Sequence, residues 1–413
     1  MRSIFEAAVE ASPESSRPPR ARRRVASLAG LAVLLLAAAC GNSSSGSSTG
    51  DTGSSSTVVA QAKAAVAKNR QGTDGALPTS APKPKPGMNV WVISCLQAGE
   101  GCSTPAAGAK EAGEDIGWKM TVFDGKGRPD LYATGIRSAI ADKADGIILD
   151  VIDCVAAKSA LEEAHQAGVK IYAFYAFDCD DPLAGGGKPL FDAQLNFGSQ
   201  PWAQYVEDVH ARSAADYVIA KTNGQAKIIE FTEKDILVAQ HLNKGFEKRI
   251  RDCSGCTIVK KVPFTLDDFV TGKLEGKAEA ALTQNPQANV VYSPYDAALT
   301  LGISQAVVAS GRNDDVLVTG NEGLSPNVGS VRDNKGQDLI LGLSARWVGW
   351  AAVDGMNRLL QGQPQVDEGI GHQTLDREGP LPKSTTYYDG NIDADGNAKQ
   401  DYEANFNKIW SGS

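Results

Sequence analysis

Cysteine is the residue type with the most chemistry to offer in this sequence. Seven are present, and six of them, Cys95, Cys102, Cys154, Cys179, Cys253 and Cys256, lie in the body of the chain. An even set suits disulfides in an oxidising compartment. The local pairs would be Cys95–Cys102 and Cys253–Cys256. Cys154 and Cys179 each follow an expected parallel strand and could meet at one sheet edge. Cys253-Ser254-Gly255-Cys256 also has redox or zinc spacing, but no second such pair or nearby histidine accompanies it. The four histidines, His165, His210, His241 and His372, lack metal-like spacing, and the first three fall on expected helices, where solvated faces are the simpler reading. Asn391-x-Asp393-x-Asp395-Gly396 has the alternating oxygens of a calcium loop, but Tyr402 stands where a bidentate Glu belongs, so a polar turn is expected. Adjacent acids such as Asp180-Asp181 rarely face one target. Neither H-E-x-x-H nor a Walker-type loop occurs, and G-x-S-x-G is met only in the Gly/Ser-rich run at Gly46–Gly50. The residues therefore point to binding rather than catalysis, with no metal or cofactor.

The seventh cysteine, Cys40, has a different setting. Arg17, Arg20, Arg22, Arg23 and Arg24 precede the apolar run Val25–Ala39, which is shorter than the roughly 18 residues a spanning helix needs. Leu36-Ala37-Ala38-Ala39-Cys40-Gly41 resembles the lipobox of bacterial lipoproteins, in which the cysteine becomes the lipidated first residue. Residues 1–39 thus read as a signal peptide, with a lipid anchor at Cys40 on the extracytoplasmic face of the membrane. Removing the signal's net +3 from the chain's −8 leaves −11. So acidic a surface repels nucleic acid.

These residues need elements to hold them. Gly41–Ser56 is a Gly/Ser tether, Val58–Lys68 an Ala-rich helix and Pro78–Pro86 a proline stretch, so 40–87 reads as the lipidated cysteine plus a flexible linker. From Met88 apolar strands alternate with helical spacing. Strands are expected at Asn89–Ser94, Lys119–Phe123, Gly146–Val151 and Lys170–Phe177, with helices at Ala106–Ile116, Leu131–Ala141 and Ala156–Ala167. Continuous apolar strands between helices indicate parallel sheets covered on both faces. A second series begins near Phe197: helices at Trp202–Lys221, Leu237–Arg251, Asp267–Gln284, Ala297–Ala309 and Val348–Leu360, and strands at Lys227–Phe231, Ile258–Val262, Asn289–Tyr292, Val316–Thr319 and Leu339–Leu343. The expected fold is α/β, with two doubly wound, Rossmann-like lobes in tandem and ligand favoured at the carboxyl ends of the strands.

At this level the chain from about Met88 to Trp410 resembles the type I periplasmic binding proteins, the ribose- and galactose-binding group that also supplies the sensor domain of lac-repressor-type regulators. Asp145-Gly146-Ile147-Ile148-Leu149 followed by Asp153 resembles that family's third strand and helix-capping Asp. Gly168-Val169-Lys170-Ile171-Tyr172 then Phe177-Asp178 resembles its fourth strand. Further matches are Lys244-Gly245-Phe246, Tyr295-Asp296-Ala297-Ala298-Leu299, Thr319-Gly320-Asn321-Glu322-Gly323 and Arg358-Leu359-Leu360-Gln361-Gly362. The resemblance implies a three-strand hinge, a ligand cleft between the lobes, and discontinuous lobes: 88–195 with 346–372 for lobe one, and 196–345 with 373–413, including the tail, for lobe two.

It also implies site residues. Asp178 matches the Asp that bonds sugar hydroxyls, although Cys179 replaces the Arg beside it. Asn321 and Glu322 stand at the Phe and Asp positions, Tyr295 at a ligand-binding Asn, and Gln240 near the second lobe's Arg. Ser94 and Gln97 in the first loop offer donors, and Trp347 offers a ring for the C–H face of a sugar, whereas Trp350 reads as core and Asp296 as a helix cap. The expected function is a monomeric solute-binding lipoprotein of an ABC importer, presenting a sugar or small polyol to permease and ATPase subunits. Alternatives on the same fold are a receptor for a non-sugar metabolite and a sensor subunit for a membrane kinase.

Overall fold

The computed structural model describes residues 50–198, 200–383 and 386–412. The signal segment, the lipobox and Cys40 lie outside the described residues. None of the described helices is long and apolar enough to cross a membrane.

Helix α1 (Gly50–Asn69) precedes the first lobe. That lobe alternates β1 (Asn89–Ser94), α2 (Glu100–Asp115), β2 (Lys119–Asp124), α3 (Pro129–Ala141), β3 (Gly146–Asp150), α4 (Cys154–Gln166), β4 (Lys170–Phe174) and the short β5 (Ala193–Gln194). Its sheet is parallel throughout, in the order β2-β1-β3-β4-β5. Every residue of β3 is buried, as a strand with helices on both faces requires.

The second lobe opens with α5 (Trp202–Tyr205), a π-helical turn at Val206–His210 and α6 (Ala211–Lys221). It continues through β6 (Lys227–Glu233), α7 (Leu237–Ile250), β7 (Thr257–Phe264), α8 (Leu266–Val270), α9 (Leu274–Gln284) and β8 (Val290–Tyr292). Then come α10 (Asp296–Ala298), a second π turn at Leu299–Ile303, α11 (Ser304–Ala309), β9 (Leu317–Glu322), α12 (Ser325–Arg332) and β10 (Leu339–Gly342). After α13 (Ala345–Leu360), β11 (Gln373–Leu375) joins this sheet antiparallel to β10, and α14 (Tyr402–Ser411) ends the fold. The sheet order is β11-β10-β9-β8-β6-β7. The helix expected over Asp267–Gln284 is broken at Gly272, whose φ of +72° ends α8.

Although α13 follows the second lobe's β10, it packs on α2 and β4 of the first lobe. Two glycines allow the close approach. A Cβ at Gly108 would lie 2.5 Å from the Arg346 carbonyl, and one at Gly349 would lie 2.2 Å from that of Pro105.

The expected flexible linker is overturned over 57–87. Helix α1 lies against α6, and Arg70 pairs with buried Asp376. The chain then threads the hinge, where Thr73 and Gly75 donate to the carbonyls of His372 and Gly369. The proline stretch straps α13: the Ser80 and Pro82 carbonyls accept from Arg358 and Asn357. Prolines cannot pair as strands, but their carbonyls are free acceptors, which is what this strap uses. The tail also departs from expectation. α14 packs on the first lobe, stacking Tyr402 on Trp347 and Trp410 on Trp350. Among the described residues, five segments rather than three therefore pass between the lobes: near 70–78, 195–201, 343–344, 361–372 and 389–401.

Among the described residues three disulfides are present, Cys95–Cys102, Cys154–Cys179 and Cys253–Cys256.

Candidate functional site

The carboxyl ends of the strands of both sheets face one cleft of about 520 Å³. The first lobe supplies Leu96 and the Cys95–Cys102 loop after β1, Pro129 and Tyr132 after β2, and Val151 and Val155 after β3. The second supplies Asp235, Ile236 and Val238 after β6, Leu266 and Phe269 after β7, Tyr295 after β8 and Glu322 at the end of β9. Sharing Gly101, Val151, Val238, Tyr295 and Glu322, a deeper cavity of about 70 Å³ lies toward the hinge, where Tyr175, Trp202, His210, Leu242, Asn321 and Leu343 close it.

Backbone strain marks the strand ends that open here. Val151, Tyr175 and Glu322 have φ of +55°, +51° and +82°, conformations that cost side-chain-bearing residues about 1–3 kcal/mol each and that cluster at ligand sites. The β-branched Val151 is the most unusual of them.

Electrostatically the site is acidic. Glu322 is half-buried, and desolvation raises its pKa to about 7, although its Oε2 accepts from the Asp296 backbone N–H at 3.0 Å. Asp150, the register partner of Ser94 at the end of β3, is fully buried, and desolvation pushes its carboxyl well above the usual range, opposed by the Ser94 hydroxyl. Burial drives the His210 imidazole well below its ordinary pKa, so it is neutral and offers one donor and one acceptor nitrogen. Both of those nitrogens, the Tyr175 and Tyr295 hydroxyls, the Trp202 indole N–H and Asn321 Oδ1 are buried without a partner. Because buried polar groups are ordinarily bonded, such a concentration around one cavity is unusual.

The two lobes touch across this cleft. Glu100 accepts from the backbone N–H and hydroxyl of Ser325 at 2.7 and 2.6 Å. Asp153 accepts from Phe177 N at 2.9 Å and from Leu237 N at 3.0 Å. This Asp, expected to cap α4, makes no side-chain cap there and ties the lobes together instead. Asp296 likewise accepts from Gly323 and Gln337 rather than capping its own helix.

Of the residues singled out from sequence, Tyr295, Asn321 and Glu322 come together in the cleft. The others do not join them. Asp178 accepts from the backbone N–H groups of Cys179, Leu190 and Phe191 at 2.7, 2.7 and 2.9 Å, so its carboxylate closes its own loop and borders a separate surface hollow. Gln240 faces a surface depression and donates to the Lys234 carbonyl. Trp347 is 0% exposed and stacked on Tyr402, an aromatic filling the first lobe's core. Gln97 donates to the buried Ser94 hydroxyl at 2.7 Å, and neither residue lines the cleft.

His210 and His241, expected on solvated faces, are each 2% exposed. His241 is held between Asp181 and Glu207 and stacked on Phe177, whereas His210 belongs to the deep cavity. Sequence reasoning missed Tyr175, Trp202 and His210. Tyr175 had a usable signal, since it immediately follows β4 as Glu322 ends β9, but the Asp three residues later drew the assignment. The Asp393 loop is a turn in which that carboxylate accepts from Asp395 and Asn397.

A family model described as a periplasmic binding protein domain matches residues 92–364. No curated protein matches the chain. Similar solved structures include the periplasmic binding protein component of an arabinose ABC transporter from Shewanella sp. ANA-3, at 19% identity and TM-score 0.59, covering 70% of this chain and 92% of that one. An ABC transporter solute binding protein from Bacillus halodurans with bound myo-inositol matches at 18% identity and TM-score 0.59, over 71% of this chain and 96% of that one. A 5-methylthioribose transporter solute binding protein from Thermotoga lettingae matches at 17% and 0.60, over 72% and 89%.

Proposed function

The chain belongs to the periplasmic binding protein domain family, and from that premise we propose that it is the extracytoplasmic receptor of an ABC importer, capturing a sugar or similar small polyol between its lobes. It is a binding protein and not an enzyme. The observation that carries this reading is the interlobe cleft at the strand ends, with its strained residues and unpartnered polar groups. A ligand held by both lobes favours the closed arrangement because it makes contacts there that an open one lacks. The arabinose, myo-inositol and 5-methylthioribose named for the similar structures support the cargo class.

Cys40 carries the lipid in this reading, a permease and its ATPase receive the cargo, and the receptor acts as a monomer. Replacing Cys40 with Ala would release the protein from the membrane fraction; continued membrane retention would sink the anchor.

The direct test is a thermal-shift screen of the purified protein against pentoses, hexoses, polyols, amino acids and organic acids. A ligand at a hundredfold excess over its Kd stabilises the fold by about 2.7 kcal/mol, a shift of a few degrees for a chain of this size. Such a shift with one sugar class is expected. Shifts confined to amino acids or organic acids would overturn the cargo.

A further inference from the structure

The interlobe cleft carries charge of one sign. Asp153 from the first lobe and Asp235 and Glu322 from the second line it, and neither a Lys nor an Arg does so among the described residues. Asp153 has both carboxylate oxygens engaged by the N–H groups of Phe177 and Leu237. The other two keep acceptor capacity: Asp235 accepts from Leu266 N through Oδ2, and Glu322 from Asp296 N through Oε2. The titratable groups that act on Glu322 are Glu100, Asp296, Tyr175 and Tyr295, acids and phenols with no cation among them.

Tyr295 is a second and independent sign. It lines the cleft, its hydroxyl is buried without a partner, and the charges that act on it are Glu233, Glu322 and Asp235. With Tyr132 and Phe269 it brings three aromatic rings to the same walls. Carboxylates beside aromatic faces, with no competing cation, are the chemistry that recognises an ammonium group, through charge-assisted hydrogen bonds and cation–π attraction. An anionic cargo would meet only like charge. A bare calcium ion needs roughly six to eight oxygens, more than two partly engaged carboxylates supply, and a cleft of about 520 Å³ has room for a whole organic molecule.

We infer that the cargo is a cation, an amine-bearing sugar or polyol whose ammonium group lies against Glu322 and Asp235. This assignment rests on the sugar-receptor reading and specifies its substrate class. Glu322 has a pKa of about 7 in the ligand-free protein. A cation beside it draws the carboxyl into its charged form, so binding at pH 7 releases about half a proton. A neutral sugar exerts no such pull.

The test is calorimetric titration of the full mature protein at pH 7 in two buffers of different ionisation enthalpy. The panel holds hexoses and pentoses, their amino-deoxy and N-acetylated counterparts, amino-deoxy polyols, uronic acids, choline, putrescine and calcium chloride. The expected result is one amino sugar or amino polyol binding at least tenfold tighter than its hydroxyl parent and its N-acetyl form, with proton release. In Glu322→Gln that advantage should fall below threefold and most of the release should go. In Asp235→Asn the advantage should also fall below threefold, and Asp235 is exposed enough that its variant keeps the fold testable. Equal or tighter binding of a neutral sugar or a uronic acid, or an amine advantage unchanged in both variants, overturns the inference and leaves the sugar receptor standing. Binding of choline, putrescine or calcium alone, or silence throughout the panel, overturns both.

Discussion

The loops that leave β4 and β9 begin alike and end differently. Each starts at the carboxyl end of a parallel strand, each has a strained residue there (Tyr175 and Glu322) and each carries an acid that the sequence nominates for ligand. In the β4 loop Asp178 gathers three backbone N–H groups and the Cys154–Cys179 disulfide ties the loop to α4. At the end of β9 the Glu322 carboxylate reaches the cleft and accepts only at the start of α10. A carboxylate whose lone pairs are already taken by its own backbone has little left for a ligand, whereas a partly desolvated one with spare acceptor capacity has much to gain from one.

The largest effect that could break this comparison is on stability. Asp178→Ala leaves three N–H groups without acceptors and should lower unfolding free energy by about 3 kcal/mol, read by urea denaturation, while ligand Kd stays within threefold. Lost binding with unchanged stability would return Asp178 to the site.

A second effect concerns pH. Glu322 has a folded pKa of about 7, above its ordinary 4.5. The folded state therefore holds a proton that the unfolded state releases, and the group's share of stability is fully present below about pH 4.5 and lost as pH rises through 7. The ligand-free protein should weaken over that window, with this group contributing on the order of 3 kcal/mol. Glu322→Gln should flatten the slope. Glu230 and Glu233, also raised to about 7, will leave some slope behind.

The same Glu322→Gln variant should raise ligand Kd about tenfold, roughly 1.4 kcal/mol, by replacing an acceptor pair with a half-donor amide. An unchanged Kd would mean that the two acids differ in burial alone. Smallest of all is Gln240→Ala, expected to change both stability and Kd by less than about 0.5 kcal/mol because its one bond is made at the surface.

The alternation of apolar strands and helices was legible from Met88 onward because a parallel strand buried on both faces must be apolar along its length, as β3 and β10 are. The site was legible where a strand's last residues carry a distinctive side chain, as with Asn321 and Glu322. It was not legible at Asp178, where a displacement of three residues separates the cleft from a loop interior. Nor could helical spacing show that His210 faces a cavity, since His210 itself lies in the π turn Val206–His210, whose residue spacing departs from that of a regular helix.

Local chemistry in the sequence thus determined the α/β class, two sheets of buried strands, cysteines spaced to pair, and an acidic body after a signal-like segment, since each depends on composition or short-range spacing. The tertiary structure alone decided which acids face the cleft, that α1 and the proline stretch are parts of the fold, and that α14 crosses back to the first lobe. Those outcomes depend on which backbone groups compete for a side chain and on contacts between residues such as Arg358 and Ser80 or Trp410 and Asp354, far apart in the chain. Spacing along a sequence carries no record of such contacts.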